Sequence, residues 1–260
     1  MAEIKAERIN ISYGSTKIVE DLDLLIPKGK ITAIIGPNGC GKSTILKTLA
    51  RILPAQSGHI LLDGKDIHSL PSVQVAQKLA ILPQSPTAPE GLMVEDLVAY
   101  GRYPHQKGFG RLTDMDRDKI DWALDLTGLS DLRQRAADTL SGGQRQRVWI
   151  AMALAQDTEL ILLDEPTTYL DLVHQLEVLK LLQKLNEQAG KTIALVIHEL
   201  NMAARFADNM VAVRQGKIVA QGTSDQIMSP GILQEVFEID AVIGKDPRTG
   251  KNLCITYDML

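Results

Sequence analysis

The residues between Gly36 and Ser43 match the pattern G-x-x-x-x-G-K-[ST], whose chemistry is the binding of a nucleoside triphosphate. Glycines in such a loop let the backbone curl tightly and aim its N–H groups at the phosphates. Lys42 adds a cation for the outer phosphates, which predicts a catalytic role, and the hydroxyl of Ser43 is a predicted Mg²⁺ ligand. The residues predicted to bind ATP here are Gly36, Pro37, Asn38, Gly39, Cys40, Gly41, Lys42, Ser43 and Thr44.

Two carboxylates stand together at the end of an apolar segment, Leu160–Asp164, which is predicted to be a buried strand. Such a strand delivers Asp164 to its tip, where the carboxylate can bind Mg²⁺ through water. Glu165, on the opposite side of the chain, can polarise an attacking water. An acidic pair exposed to solvent is the alternative, and the phosphate loop upstream disfavours it. We therefore predict Asp164 as a metal ligand and Glu165 as the catalytic base.

Two further predicted strands also end at polar side chains. His198 follows an apolar strand, so it can contact the γ-phosphate and hold Glu165 and the water in place, although a histidine there is more often structural. Gln84 follows the strand Ala80–Pro83 and offers a carbonyl oxygen to Mg²⁺; the alternative is a surface glutamine. Tyr13 can stack on adenine or close a β-hairpin.

A second glycine motif, Leu140–Gln144, precedes a predicted helix. Ser141 suits the helix N-cap, and the glycines after it allow a ligand to approach the free N–H groups closely. The motif lies far from the phosphate loop in sequence, so we predict that Ser141, Gly142, Gly143 and Gln144 bind a nucleotide held by a second copy of the chain. A glycine-rich helix cap is the alternative. Asp171 is predicted to lie at the seam between the two copies.

The order of predicted elements indicates a mixture of strands and helices. Strands, Leu22–Ile26 among them, fill the first part of the chain, and helices dominate from about residue 91 to 155. Apolar strands return at Leu160–Asp164 and Thr192–Ile197. A helix from Leu172 to Ala189 separates those two strands, and a hairpin turns at Gln215-Gly216. The helical block between two strand-bearing halves therefore predicts an inserted subdomain.

Composition narrows the function classes. The 260 residues are 45% hydrophobic and 23% charged with a net charge of −4, which predicts a globular protein that does not bind nucleic acid. No apolar run approaches the roughly 18 residues that span a bilayer, so any membrane work would need another subunit. Cys40 and Cys254 are far apart in sequence, which indicates no disulfide and a reducing compartment. Cys40 is interpreted as a tolerated small residue rather than as a redox site.

Taken in order, these motifs resemble the ATP-binding cassette (ABC) transporter family, and the resemblance covers essentially the whole chain. It implies an α/β fold of the P-loop NTPase type, with a mixed sheet core, an antiparallel β subdomain and an inserted helical subdomain. It further implies a single domain over residues 1–260, made of a RecA-like core at about 1–90 and 156–260 and a helical subdomain at about 91–155. Glu199 stands where the family often has an aspartate, and it keeps the carboxylate.

Within that family, the chain is similar to the ATPase subunits that import ferric siderophores, haem and vitamin B12. Among these it most resembles the ferric dicitrate importers, with other siderophores left open. The resemblance rests on the glycine loop, on Asp164–Asp171, on Ala99–Pro104 and on Gln221–Thr223. It implies a head-to-tail dimer with two ATP and Mg²⁺, docked through residues 85–104 to a membrane permease. A substrate-binding protein would take part indirectly, and the cassette would sit peripherally on the cytoplasmic face of the inner membrane.

Several alternatives remain open from the sequence. A soluble cassette could serve as an assembly scaffold, for example in iron–sulfur cluster biogenesis, and an exporter would use the same ATPase. The cargo could also be haem or vitamin B12. A kinase-like enzyme would share the phosphate loop, but it has no use for the second glycine motif.

Overall fold

The structure, a computed structural model, describes residues 2–106 and 111–260. Residues 107–110, which belong to the predicted helical subdomain, lie outside the described residues. The strands of the described parts are β1 (Ile4–Tyr13), β2 (Thr16–Ile26), β3 (Ile31–Ile35), β4 (Ser57–Leu62), β5 (Lys65–Asp66), β6 (Leu79–Leu82), β7 (Leu160–Asp164), β8 (Thr192–Val196), β9 (Asn209–Arg214), β10 (Lys217–Gly222), β11 (Ile239–Lys245) and β12 (Asn252–Met259). The α-helices of the same parts are α1 (Lys42–Leu49), α2 (Ser72–Lys78), α3 (Val94–Ala99), α4 (Asp114–Leu126), α5 (Gly142–Ala155), α6 (Leu172–Ala189), α7 (Leu200–Phe206), α8 (Ser224–Ile227) and α9 (Pro230–Phe237).

A mixed sheet with the strand order β10-β9-β3-β8-β7-β6 forms the centre of the described chain. Strands β9, β3, β8, β7 and β6 run parallel, and β10 returns antiparallel to β9. Parallel strands place their carboxyl ends along one edge, where ligands of such sheets bind. The segments that follow β3, β6, β7 and β8 contain the phosphate loop, Gln84, Glu165 and His198, so the topology gathers these predicted site residues at that edge.

The central strands are buried on both faces, and their residues alternate between two apolar clusters. In β7, Ile161 and Leu163 join one cluster, whereas Leu160 and Leu162 join the other. This alternation follows from the two-residue period of a strand, and a strand covered on both faces needs apolar side chains at every position. The continuous apolar runs in the sequence are explained by this double burial.

Two different layers cover the two faces of the central sheet. The first cluster contains apolar residues of α3, α4, α5, α6 and α9, so helices cover that face. The second contains residues of α1 and of the antiparallel sheet β2-β1-β4-β5, among them Ile4, Ile9 and Ile60. The mixed sheet, the antiparallel sheet and the helical layer are therefore those that the sequence predicted. The subdomain boundaries near residues 91 and 155 stay a prediction.

A buried ion pair holds the helical block together. Nε of Arg102 lies 2.8 Å from Oδ1 of Asp116, with only 3% and 4% of the two side chains exposed. The same guanidinium donates to the carbonyl oxygen of Ala155 at the end of α5. Asp116 also accepts from the backbone and hydroxyl of Thr113, which caps α4. One arginine therefore connects α4 to the end of α5, immediately before the turn that leads to β7.

The element bounds agree with the sequence in most places and differ in two. We predicted a strand at Leu22–Ile26, but β2 already begins at Thr16, because its backbone pairs with β1 through positions that are polar and exposed. Helix α2 was not predicted, since only Val75 of its residues is buried and its sequence has little apolar periodicity. In both places few side chains are buried, so the sequence has no apolar pattern that would reveal the element.

Cys40 and Cys254 are both free, as predicted, and both are buried. Within the part of the chain that the structure describes, no helix combines the length and apolar character needed to cross a membrane.

The buried ion pair yields a stability prediction. We expect Arg102→Met to lower the free energy of unfolding by about 3–5 kcal/mol, because Asp116 would remain as a buried charge without its cation. Arg133→Met is the matched control: Arg133 also pairs with two carboxylates on the helical block, but its side chain is 42% exposed, so a loss of about 1 kcal/mol or less is expected. Urea unfolding followed by circular dichroism measures both; equal losses would contradict the role given to Arg102.

Candidate functional site

The phosphate loop joins the end of β3 to the start of α1. Gly36 has a φ of 153°, and a Cβ there would lie 2.1 Å from the carbonyl oxygen of Val213, so no larger residue fits without moving the neighbouring strand. Gly41 precedes α1 with a φ of 104°. Nζ of Lys42 donates to the carbonyl oxygens of Gly36 and Pro37, both at 2.8 Å, and so braces the loop. Burial raises the pKa of the Cys40 thiol despite the nearby Lys42, which favours the interpretation as a structural residue.

Asp164 ends β7 directly beside the phosphate loop. Its Oδ1 accepts a 2.7 Å hydrogen bond from the hydroxyl of Ser43, and its Oδ2 lies 3.9 Å from Nζ of Lys47. Among the described residues, this buried Oδ2 has no hydrogen-bond partner. Burial raises the pKa of Asp164 above its usual value, although Ser43 and Lys47 oppose that shift. A buried carboxylate oxygen with only a distant cation suits the binding of a metal ion.

Glu165 is held by three side chains. Nε2 of His198 lies 2.7 Å from Oε1, while the Gln84 amide and the Thr168 hydroxyl donate to Oε2 at 2.6 and 3.0 Å. Burial pushes the pKa of Glu165 upward, but the bonds from His198, Thr168 and Gln84 outweigh it, so the pKa lies below its usual value. Its φ of 53° is uncommon for a residue other than glycine, and such strain concentrates at functional sites.

These groups line one open cleft of about 610 Å³. Its walls are formed by Ile18, Asn38, Gly39, Gly41, Lys42, Ser43, Thr44, Gln84, Glu165, Thr168, Tyr169 and His198. The cleft is large enough for a nucleotide. The structure thus brings the predicted loop, Gln84, Glu165 and His198 together.

The second glycine motif lies outside this cleft. Ser141 accepts from the backbone of Gln144 and Gln144 accepts from the backbone of Ser141, a reciprocal cap at the start of α5. Among the described residues that line the cleft, Ser141, Gly142, Gly143 and Gln144 are absent, and so is Tyr13, which is half exposed at the end of β1. Tyr13 closes the β1–β2 hairpin opposite Thr16, as the alternative has it, and its contact with adenine stays a prediction.

A contact links the second motif to Asp171. The ring of His174 packs against Gly143, where an added Cβ would lie 2.8 Å from the imidazole. Oδ1 of Asp171 lies 2.7 Å from Nδ1 of His174 and caps α6 through the His174 backbone. The hydrogen bond from the His174 backbone, and after it the one from the His174 ring, hold the pKa of Asp171 below its usual value. The glycine at position 143 is therefore needed for close packing between α5 and α6.

Three residues at the site were missed by the sequence analysis, namely Lys47, Thr168 and His174. Lys47 lies four residues after Ser43 on α1, which places both on one helix face, so this spacing was a usable signal. Thr168 and His174 each lie three residues after a predicted acidic residue. Such spacing is common by chance, and only the turn after β7 and the start of α6 make those contacts.

The oxygen atoms at this edge fit a magnesium ion. The hydroxyl of Ser43, the carboxylate of Asp164 and the amide oxygen of Gln84 are ligand types that Mg²⁺ binds, usually with substrate phosphates and water completing the sphere. The Gln84 nitrogen takes the bond to Glu165, so the carbonyl oxygen is the atom for a cation. Across residues 2–106 and 111–260, no group of three or more His, Cys, Asp or Glu side chains could hold a metal ion.

The parallel sheet, with a glycine loop after β3 and an acidic pair at the end of β7 on the same carboxyl edge, defines a P-loop nucleoside triphosphatase. A family model described as "ABC transporter" matches residues 19–168. The chain belongs to the ABC transporter family and is an ATP-hydrolysing enzyme of it. The recognition made from the motifs is thereby confirmed.

Two relatives and one solved structure show how far the similarity extends. The chain is 58% identical to the iron(3+)-hydroxamate import ATP-binding protein FhuC of Bacillus subtilis (strain 168), over 100% of this chain and 97% of the relative. It is 45% identical to the ferric enterobactin transport ATP-binding protein FepC of Escherichia coli (strain K12), over 98% and 94%. The dimeric structure of MJ0796, a bacterial ABC transporter cassette, superposes with a TM-score of 0.76 at 27% identity, over 85% and 98% of the two chains. The predicted ABC ATPase fold is confirmed.

The bonds to Glu165 yield a pH prediction. We expect Thr168→Val to raise the pKa of Glu165, because the variant loses one of the donors that lower it. A base must be ionised to act, so ATP hydrolysis is lost as the pH falls through that pKa, and the loss should occur at a higher pH in the variant. Profiles of kcat against pH measure the shift. Ser130→Ala, which also removes a hydroxyl from a carboxylate, that of Asp125 in the helical block, should keep the profile unchanged; coinciding profiles for all three proteins would contradict the assignment.

Proposed function

We propose that this chain binds MgATP in the cleft beside the phosphate loop and couples its hydrolysis to the import of a ferric siderophore. The observation that carries the catalytic part is the position of Glu165, with three donors around its carboxylate at the end of β7. A carboxylate kept ionised next to the phosphate loop is suited to accept a proton from an attacking water.

Each of the predicted residues has a task in this mechanism. Lys42 and the loop N–H groups neutralise the phosphates, and Ser43, Gln84 and Asp164 would hold Mg²⁺, which spreads the charge that develops on the transferred phosphoryl group. Glu165 takes the proton of the water. His198 donates to Glu165, keeps its carboxylate in one orientation and reaches toward the γ-phosphate.

The active unit that we propose is a head-to-tail dimer. In one chain the motif Ser141–Gln144 is separate from the cleft, so it is free to meet the ATP of a partner. Tyr169 is 90% exposed at the rim of the cleft, and Leu172 and Val173 at the start of α6 are also exposed. These side chains lie close in sequence to Asp171, which caps α6. Exposed apolar side chains of this kind suit a protein interface. The similar cassette MJ0796 is dimeric, which supports this arrangement.

The partner in the membrane is a permease, which we propose to dock on residues 85–104. Tyr100 and Tyr103 of this segment are 56% and 79% exposed, and aromatic residues are enriched at interfaces. A substrate-binding protein would act on the other side of the membrane. Docking of this kind places the cassette peripherally on the cytoplasmic face. Hydrolysis then opens the dimer and moves the permease between its access states.

The cargo that we propose is a ferric siderophore of the hydroxamate class. The most similar of the relatives described above is named for iron(3+)-hydroxamate import, at 58% identity. The relative named for ferric enterobactin, at 45% identity, supports the broader class of iron chelates. The cargo assignment rests on these two relatives, and a transport assay tests it.

The catalytic assignment predicts a trapped dimer. We expect Glu165→Gln to retain ATP and to elute as a dimer in gel filtration with MgATP, because the base is lost while the phosphate loop is intact. ATP turnover should fall by a factor of about 10² or more. Glu187→Gln, an exposed change of the same kind on α6, should turn over ATP normally and dissociate. A Glu165→Gln monomer that still hydrolyses ATP would refute the proposal.

The transport assignment predicts cargo-dependent uptake. Cells or vesicles that contain this chain with its permease should take up radiolabelled iron as a ferric hydroxamate, and Lys42→Ala should abolish that uptake, because the phosphates lose their cation. The exposed Lys184→Ala on α6 serves as the control and should transport normally. Ferric dicitrate, ferric enterobactin, haem and vitamin B12 are the competing cargoes. Uptake of one of these instead would correct the cargo. If no permease co-purifies with the chain from detergent-solubilised membranes, the function as an assembly scaffold would be favoured.

A further inference from the structure

Helix α7 begins two residues after His198 and therefore sets the direction of the chain that carries this histidine. The side chain of His198 is 37% exposed and lies between two open clefts, the nucleotide cleft and a second one of about 320 Å³. Packing alone does not confine a side chain in such a place. Its contact with Glu165 thus depends on how firmly α7 is held.

The β11–β12 hairpin is hydrogen-bonded to the first turn of α7. The amide of Asn201 donates from Nδ2 to the carbonyl oxygen of Cys254 at 2.9 Å and accepts at Oδ1 from the Cys254 N–H at 2.8 Å. Both backbone groups of one β12 residue are thereby satisfied by a single side chain, in the way that a neighbouring strand would satisfy them. Two bonds to one planar amide fix its orientation as well as its distance.

The β11–β12 hairpin is also hydrogen-bonded to the other end of α7. Nζ of Lys251 donates to the carbonyl oxygens of Arg205 and Ala207, at 3.1 and 2.7 Å. These carbonyls belong to the last turn, which a cation is suited to cap. The hairpin is anchored in turn, because Asn252 bonds to the backbone of Asp225 and Met228 around α8. Cys254 is buried in the main apolar cluster.

We propose that the β11–β12 hairpin is a positioning element for catalysis: by holding α7 at Asn201 and at its last turn, it keeps His198 in contact with Glu165. The inference deepens the proposed function and rests on the roles given there to His198 and Glu165. Asn201 and Lys251 act through α7, so they are positioning residues and not catalytic ones.

The central test is the steady-state kinetics of the full chain. Asn201→Leu has a similar volume but no polar groups, so it should lower kcat for ATP hydrolysis by about tenfold, the size of a small misplacement of a catalytic group. The KM for ATP should change by less than about twofold, since the phosphate loop is untouched. Asn201→Gln should recover part of kcat, because its longer amide can still pair with Cys254.

A matched control separates positioning from stability. Asn186 also donates from its amide to two carbonyl oxygens, those of Gly29 and Lys191, at the opposite ends of β3 and β8 from His198. Asn186→Leu should lower the melting temperature about as much as Asn201→Leu and leave kcat within about twofold. Equal melting temperatures with full kcat in Asn201→Leu would overturn the inference.

A spectroscopic measurement reports on the histidine itself. The imidazole ¹H–¹³C signals of His198, assigned with His198→Ala, should shift in Asn201→Leu and, to a smaller extent, in Lys251→Met, which loosens the far end of α7. The signals of His105, whose ring bonds to the carbonyl oxygen of Gln156, should stay in place. Unmoved His198 signals in both variants would overturn the inference.

The outcomes also distinguish this inference from the proposed function. If Glu165→Gln keeps its turnover, the assignment of the base fails and the inference fails with it. If Glu165→Gln is inactive while Asn201→Leu keeps full kcat, the proposed function stands and only the role of the hairpin is refuted.

Discussion

Two adjacent carboxylates at the end of β7 need different surroundings, and the rest of the site is arranged around that constraint. Asp164 is buried against the phosphate loop, and burial raises its pKa. Glu165 points the other way and is held by three donors, which outweigh its partial burial and lower its pKa. Asp164 is the last residue of β7, and Glu165 leaves the strand with a φ of 53°, so one strand end presents a buried oxygen suited to a metal ion and a carboxylate held by donors side by side.

The other motifs of the site fall into two groups, those at the same edge of the sheet as this pair and those away from it. The parallel order of β3, β8, β7 and β6 brings the phosphate loop, His198 and Gln84 to the same edge as Glu165. The second glycine motif belongs to α5, away from that edge, and its packing on His174 connects it to Asp171 at the start of α6. One chain therefore contains both of the predicted nucleotide-binding motifs, but it presents them at separate places. This separation is the physical reason for expecting a dimer.

The β11–β12 hairpin supports the site through contacts with α7 that lie outside the nucleotide cleft. A catalytic group is useful only if its own position is fixed, and His198 borders two open clefts. Asn201 and Lys251 bond to the hairpin at the two ends of a short helix, and the hairpin is bonded to α8. A two-stranded hairpin has little stability of its own, so these contacts serve both partners.

The chemistry of this protein was determined by its sequence to a large extent. The phosphate loop, the acidic pair and the serine–glycine motif consist of residues close together in the chain, and their strand-to-helix context is visible as apolar runs that break at glycine. The start of β2, helix α2 and the partners Lys47, Thr168, His174 and Asn201 were decided only by the tertiary structure. Their roles come from contacts such as that between Asn201 and Cys254, 53 residues apart, and no local pattern records such a contact. Local sequence sets which groups are present and which segments are strands or helices, whereas the packing of distant segments sets which groups meet.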